Sequence, residues 1–375
     1  MIKVIQVLTD TNIGGAGMWL LNFLKVYDRE HIDMSVVLPH NAMLKPEAEK
    51  LGVRVIEADG IADSSFSLKG ISVLDKIFKE ESPDIVHTHA SLSARIAAKK
   101  NGIKVVHTRH CLEKEKKHIK KFIYGFINNL LSDRVIAVSE AVKDNLLSDG
   151  ISSDKLRTVY NGITPVRKMS DEEKQRAREK FGILPENVVV GIVARLEPVK
   201  NHAMFLEAAK VVATICPEAV FMIVGDGSMR ESLEAKAKED GIYEKVILTG
   251  YINDITEVMN VIDIHVLTSE KEALSISLIE AMSIGKPVVA ADSGGPGEFV
   301  KTGVNGILVG VNDTVNLTMG IVRLIQRPDI RQKLGAEGQR MVSEKFMSRE
   351  MADKIEKIYT ELVLKAQKGE ANEEV

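Results

Sequence analysis

Residues 268–285 read TSEKEALSISLIEAMSIG, and what stands on either side makes this stretch a crossover. Residues 261–267, VIDIHVL, form a short run of branched apolar side chains, and residues 287–291, PVVAA, form another. Two buried strands joined by a helix are parallel neighbours in a sheet. A ligand of such a sheet sits at the carboxyl ends of the strands, beside the N-terminus of the crossover helix. A helix beginning near Ser275 leaves the N–H groups of Ser275, Ile276 and Ser277 free, and with the helix dipole they favour an anion such as phosphate. The hydroxyls of Ser275 and Ser277 add two further donors.

Glu272 and Glu280 flank that helix start. Eight residues of helix rise about 12 Å, more than the roughly 5–9.5 Å between carboxylates that share one glycosidic bond. The pair therefore suits two ends of one long ligand, such as a sugar joined through a diphosphate to a ribose. Glu272, in the loop, would read hydroxyls at one end, and Glu280, two turns inside the helix, at the other. A purely structural reading, with Glu272 as a dipole partner and Glu280 solvated, explains the spacing equally well. The neighbours of Glu280 favour the first, because Leu278, Ile279, Ala281 and Met282 give it an apolar setting in which a bare carboxylate is costly.

The same strand–loop–helix scheme recurs along the chain. Residues 4–8, 34–38, 53–56, 85–87, 105–107 and 135–137 read as short buried strands, and 188–193, 221–224 and 246–252 restart the pattern after the turn VYNGITP at 159–165. The expected fold is α/β, with two doubly wound parallel-sheet domains facing across a cleft, over 1–164 and 165–346. A chain of 375 residues, 45% hydrophobic and 27% charged, supports two cores. Cys111 and Cys216 fall in different halves, which argues against a disulfide framework and for a reducing compartment. Residues 1–8 read as a first strand and not a signal peptide, and no apolar run reaches membrane-spanning length. The expected location is cytoplasmic or peripheral at the inner face of a membrane. A net charge of −3, with a slightly basic front half, does not suggest nucleic acid but allows an anionic partner.

Four segments carry candidate chemistry. Gly14, Gly15 and Gly17 make the first loop close-approaching, but Leu20 stands where a dinucleotide fingerprint needs Gly or Ala, which counts against an NAD-dependent dehydrogenase. His87-Thr88-His89 and Thr108-Arg109-His110 follow successive strands. No carboxylate or cysteine is spaced to complete a metal site with these histidines. Arg195 and Lys200, in the loop after residues 188–193, suit a diphosphate, one as a planar fork and the other as a point charge, and composition fits surface salt bridges equally well. Residues 114–131 place apolar side chains at 119, 122, 123, 126, 127 and 130, the period of a helix with one buried face. The basic start of that segment, Lys114, Lys116, Lys117, Lys120 and Lys121, fits either an anionic membrane surface or a solvated helix end.

The E-x7-E of Glu272 and Glu280, the AM-x-x-G-x-PVV run at 281–289 and Gly294-Gly295-Pro296-Gly297-Glu298 together resemble the retaining glycosyltransferases of the GT-B fold, family four in the sequence classification. The resemblance runs from Val4 to about Tyr359. It implies a hexosyltransferase that binds a nucleotide sugar, with uridine diphosphate the expected nucleotide, and needs no cofactor. The acceptor it implies is a cell-surface glycan or a lipid-linked sugar. On the matched positions, Gly14 and Gly15 approach the donor diphosphate, and Arg195, Lys200 and Asn201 hold its phosphates, with Ala194 replacing the family's glycine. Ile252 belongs to the segment that meets the base, Leu274 lies in the donor-binding loop that surrounds the sugar, and Ser275, Ile276 and Ser277 meet the phosphate. Glu280 reads the ribose, while Glu272 and His110 reach the sugar and are the catalytic candidates. His87, His89 and His107 are taken as structural. The last helix, 347–365, is expected to cross back onto the front domain, with 366–375 a disordered tail. Glu272-Ala273-Leu274-Ser275 replaces the common E-G-F-G, which leaves the sugar open. No D-x-D occurs, so transfer is expected to be metal-independent. A non-catalytic sugar-nucleotide-binding protein on the same fold, and more remotely a dehydrogenase, are the alternatives.

Overall fold

A computed structural model describes residues 1–113 and 118–373; within these, the side chains of residues 118–120 and 366–373 are not described. The chain forms two units, Met1–Gly162 with Ser348–Val375, and Ile163–Met347.

The front unit is a seven-stranded parallel sheet in the order β3-β2-β1-β4-β5-β6-β7. Its strands are β1 (Ile2–Val7), β2 (Ile32–Pro39), β3 (Arg54–Ala58), β4 (Ile85–Thr88), β5 (Lys104–Arg109), β6 (Arg134–Ala137) and β7 (Leu156–Thr158). The crossovers are α1 (Gly15–Leu24), α2 (Leu44–Lys50), α3 (Leu68–Glu81), α4 (Leu92–Lys100), α5 (His118–Leu131) and α6 (Glu140–Ser148). Ser67, Ser91 and Ser139 start α3, α4 and α6 by accepting a first-turn N–H on the side-chain oxygen, the usual use of serine at that position.

Alternation along the strands decides which side chains meet. Ile5, Val7, Val86 and Val105 face the layer of α3 and α4, whereas Val4, Ile85 and Val106 face the opposite layer with Trp19 and Phe23 of α1. Gln6, His87 and Thr108 share the parity of that second set, and Gln6 pairs with His87 in register. A polar row therefore crosses the middle of an apolar sheet.

The back unit is a six-stranded parallel sheet in the order β10-β9-β8-β11-β12-β13. Its strands are β8 (Val188–Val193), β9 (Ala219–Val224), β10 (Val246–Gly250), β11 (Ile264–Leu267), β12 (Val288–Ala291) and β13 (Ile307–Val309). Its helices are α7 (Asp171–Lys180), α8 (His202–Ile215), α9 (Arg230–Glu239), α10 (Thr256–Val261), α11 (Ile276–Ser283), α12 (Pro296–Phe299), α13 (Thr314–Gln326) and α14 (Pro328–Lys345). A Ser170–Glu173 capping box opens α7. In both sheets the winding reverses once, between β1 and β4 in front and between β8 and β11 behind, which is where an open parallel sheet leaves a crevice.

The closing helix, α15 (Ser348–Glu373), belongs to the front unit. Met351, Ile355, Ile358, Tyr359 and Leu362 bury against α1 and β1, each worth about 1.5–3 kcal/mol relative to exposure. The helix continues to Glu373, through residues whose polarity suggests a tail. Lys, Gln, Ala and Glu are strong helix formers, so polarity alone does not separate a tail from an exposed helix.

Other details differ from the sequence reading for local reasons. The strand expected over 261–267 begins at Ile264, since Val261 ends α10 and Ile262 packs beneath Gly191. β7 and β13, of three residues each, are too short to show a period. On α5 the apolar stripe is not buried: Phe122, Ile123, Phe126 and Leu130 are all more than half exposed. That helix packs instead through Gly125, where an added Cβ would meet the carbonyl of Gly150, and through buried Asn128, which accepts from Arg95.

Candidate functional site

At the reversal point of the back sheet, the loops after β8 and β11 are laced together. Thr268 Oγ1 donates to the carbonyl of Lys200 at 2.9 Å and Glu270 N to that of Val199 at 2.9 Å. Between them Lys200 Nζ donates to Glu272 Oε2 at 2.6 Å, and Ser269 Oγ reaches the same oxygen at 3.1 Å. The two side chains are only 19% and 13% exposed, so the pair is held in a setting where either charge alone would be costly. Glu272 is anchored through its backbone as well, its N–H on Ser293 and its carbonyl taking Gly295 N–H. A Cβ on Gly295 would lie 2.0 Å from the carbonyl oxygen of Ala273, so only glycine permits this approach.

The α11 helix begins between the two glutamates. Ser275, at φ +76°, precedes it without a side-chain cap, and its hydroxyl lies 3.4 Å from that of Ser277. This is a position at which glycine is the unstrained residue. Among the described residues no protein acceptor takes the N–H of Ile276 or Ser277. Leu274 is buried, and Glu280 is 9% exposed, so the solvated alternative for Glu280 does not hold.

The remaining back-unit candidates are placed around this pair or apart from it. Arg195 is exposed at the end of β8, on a turn whose Leu196 N–H bonds to Asp226. Gly225, at φ +140°, lies so close beneath Ala194 that a Cβ would meet its carbonyl. Asn201, at φ +50°, accepts Met204 N–H as the cap of α8 and donates to Asn312 at 2.7 Å. Ile252 lines a separate cavity of about 710 Å³ with Phe181, Leu248, Thr249 and Val258.

At the reversal point of the front sheet, Gly14 and Gly15 open α1. A Cβ on either would touch nothing, and neither has a positive φ, so packing does not require these glycines. After β4 and β5, His110 Nε2 lies 2.8 Å from His89 Nδ1, and His89 Nε2 lies 3.0 Å from Gln6 Oε1. The Trp19 ring packs on His87, His89 and His110 with centroids 4.8–5.7 Å apart. Burial pushes all three imidazoles down, His87 and His110 to about 3 and His89 well below its ordinary value. They are neutral at pH 7. His110 Nδ1 is buried and has no partner among the described residues.

His110 and His89 thus come together, although His87 and His89 read as structural in the sequence, and no motif there marks Gln6, Trp19 or Tyr359. The one local signal was a glutamine inside the apolar strand IKVIQV. Of the basic candidates, Lys114, Lys116 and Lys117 lie outside the described residues, as does the side chain of Lys120; Lys121 is half-buried on α5. Among the described residues no three His, Cys, Asp or Glu are grouped to hold a metal ion, and no helix is long and apolar enough to cross a membrane.

The profile of the family described as glycosyl transferases group 1 matches residues 173–341, and that of glycosyltransferase family 4 matches residues 13–167. The UDP-Gal:alpha-D-GlcNAc-diphosphoundecaprenol alpha-1,3-galactosyltransferase of Escherichia coli is 28% identical over 311 residues, 79% of this chain and 80% of that one. The N-acetyl-alpha-D-glucosaminyl L-malate synthase of Bacillus anthracis is 25% identical over 314 residues, 80% of each. Among solved structures, Anabaena HepE in complex with UDP and glucose matches with a TM-score of 0.85 at 22% identity, over 96% of this chain and 100% of that one, a likeness of fold.

Proposed function

The chain belongs to the GT-B glycosyltransferases, and we propose that it transfers a hexosyl group from a UDP-sugar to a glycan or lipid-linked acceptor, with retention of configuration and without a metal ion. The observation that carries this reading is the Lys200–Glu272 pair set against the open N-terminus of α11, with Glu280 buried on the same helix.

On this reading the diphosphate takes the N–H groups of Ile276 and Ser277, with Lys200 and Arg195 as its cations. Glu280 accepts from the ribose hydroxyls, and Glu272, freed to share Lys200, accepts from the sugar. In the front unit, His110 is assigned to a sugar hydroxyl and the Gly14-Gly15 turn to the diphosphate. Asn201 acts through α8, which it caps, and Leu274 packs the loop. As the glycosidic bond breaks, negative charge grows on the leaving phosphate, where fixed donors stabilise it more than they stabilise the intact donor. No carboxylate is assigned as a nucleophile. The acceptor oxygen attacks from the face the diphosphate leaves, and the departing phosphate takes its proton.

The name of the Escherichia coli relative specifies a UDP-sugar donor and a diphosphoundecaprenol acceptor, which favours a lipid-linked acceptor here. The exposed Phe122, Ile123, Phe126 and Leu130 on α5 give such an acceptor, or the membrane that carries it, an apolar surface.

The test is a panel of nucleotides and nucleotide sugars, screened by thermal shift and then by transfer to lipid-linked and free glycan acceptors. UDP at 100 times its Kd adds about 2.7 kcal/mol of stability. Transfer survives EDTA. Binding without transfer or hydrolysis would favour the non-catalytic alternative, and activity lost in EDTA and restored by Mg²⁺ would remove metal independence.

A further inference from the structure

Six side chains of the front unit form one hydrogen-bonded chain that ends on His110. Thr108 Oγ1 lies 2.7 Å from His87 Nε2, His87 Nδ1 lies 2.6 Å from the Tyr359 hydroxyl, and Gln6 Nε2 donates to that hydroxyl at 3.0 Å. Gln6 Oε1 lies 3.0 Å from His89 Nε2, and His89 Nδ1 lies 2.8 Å from His110 Nε2.

The Gln6 amide, with its NH₂ toward Tyr359 and its carbonyl toward His89, sets the direction of the chain, and proton counting then fixes the steps. The Gln6 carbonyl can only accept, so His89 Nε2 carries the hydrogen. A neutral imidazole has a single N–H, so His89 Nδ1 is a bare lone pair and must be met by N–H on His110 Nε2. His110 Nδ1 is then bare too, and it is the ring atom that lies buried without a partner among the described residues. In the other direction the Gln6 amide occupies the Tyr359 oxygen, so the phenol hydrogen goes to His87 Nδ1 and His87 Nε2–H to Thr108. A half-turn of the Gln6 amide would reverse all of these bonds and put the hydrogen on His110 Nδ1. The amide is the pivot, and Tyr359, fully buried on α15, provides the hydroxyl its NH₂ group meets.

We propose that Gln6, His89 and Tyr359 are positioning residues that lock His110 in the Nε2–H tautomer, so that its Nδ1 lone pair accepts a hydrogen bond from a hydroxyl of the donor sugar. The sugar contact rests on the function proposed above; the tautomer rests on the orientation of the Gln6 amide within the chain of bonds. A chain of neutral groups suits this task, because in a dry site each member has to be satisfied and one reversed amide would turn the terminal acceptor into a donor.

The test reads tautomers directly. Protein labelled with [¹⁵N]histidine gives two-bond ¹H–¹⁵N spectra at pH 7, with the His110 signals identified by their absence in His110→Asn. Wild type shows His110 with Nε2 protonated and Nδ1 bare. Tyr359→Phe keeps the packing but removes the hydroxyl, so His110 shows both tautomers. In that variant kcat falls about three- to tenfold, the worth of one neutral hydrogen bond, with KM for the donor and UDP affinity unchanged. Gln6→Met, which keeps the volume and removes both amide bonds, gives the same pattern and serves if Tyr359→Phe does not fold. His110 protonated on Nδ1 in wild type overturns the proposal, and so does a single tautomer with full kcat in both variants. If wild type transfers no sugar from any nucleotide donor, the functional reading has failed, and the spectra still decide the tautomer.

Discussion

The two sheets share one winding order and place their candidate sites at the same point of it, yet the groups gathered there are opposite in kind. Between β1 and β4 stand three imidazoles, an amide, a phenol and an indole, all neutral and mutually bonded or packed. Between β8 and β11 stand a lysine, a glutamate and an open helix terminus, with an exposed arginine on the same loop. A shared scaffold thus leaves the chemistry to the residues at the strand ends. Neutral groups can be buried completely if every hydrogen bond is made, whereas charges need either each other, as Lys200 and Glu272 do, or water, as Arg195 does. One site is suited to a neutral, hydroxyl-bearing group and the other to an anion.

The largest effect expected from this contrast is a difference in acid stability. A histidine whose native value is depressed takes up a proton on unfolding, so its stability contribution is complete above about pH 6.5 and is lost as pH falls toward the native value. For His87 and His110, held at about 3, each loses about 2 kcal/mol between neutral pH and pH 5. His89 and His107, also pushed well down by burial, add to the loss in the front unit, against His265 and His202 behind. Trp19 is the single tryptophan and sits within the front cluster, so its fluorescence reports that unit alone. Acid titration should release the Trp19 signal at a higher pH than hydrogen exchange is lost from the β8–β13 amides. Simultaneous release, or back-unit opening first, would erase the distinction.

How much of this was legible in the sequence follows the same division. The sheets were legible because parallel strands buried on both faces are uninterrupted apolar runs, such as VVVGIV in β8. Lys200, Glu272 and Glu280 were legible because their loop and helix spacing marks a strand end. Their pairing was not, since Lys200 and Glu272 are 72 residues apart. The histidine chain was least legible. Gln6 meets Tyr359 across 353 residues, and only strand parity and the return of α15 bring them together. On α5 the period located the apolar residues correctly but could not say what covers them, and Gly125 turned a different face inward.

A smaller effect concerns how the two helices beside the sites begin. The α1 helix opens on glycines that packing does not require, while α11 opens on Ser275 in a conformation that glycine would relieve. Ser275→Gly should raise stability by about 1 kcal/mol, read as a higher midpoint in thermal or denaturant unfolding. Destabilisation instead would mean that the serine hydroxyl outweighs the strain.

The two glutamates either side of the α11 start are proposed to hold opposite ends of one donor, and calorimetry of UDP with each charge removed tests this. Glu280→Gln keeps the shape but loses the charge-assisted bonds to ribose, so UDP binding should weaken by roughly 1.5–3 kcal/mol. Glu272→Gln removes the partner of Lys200 and leaves that cation to the diphosphate, so UDP affinity should stay the same or tighten. Its cost should fall on kcat and kcat/KM together, as for an interaction made in the transition state. Loss of UDP binding in Glu272→Gln as large as in Glu280→Gln, or none in either, would contradict the assignment of the two carboxylates to opposite ends of one donor.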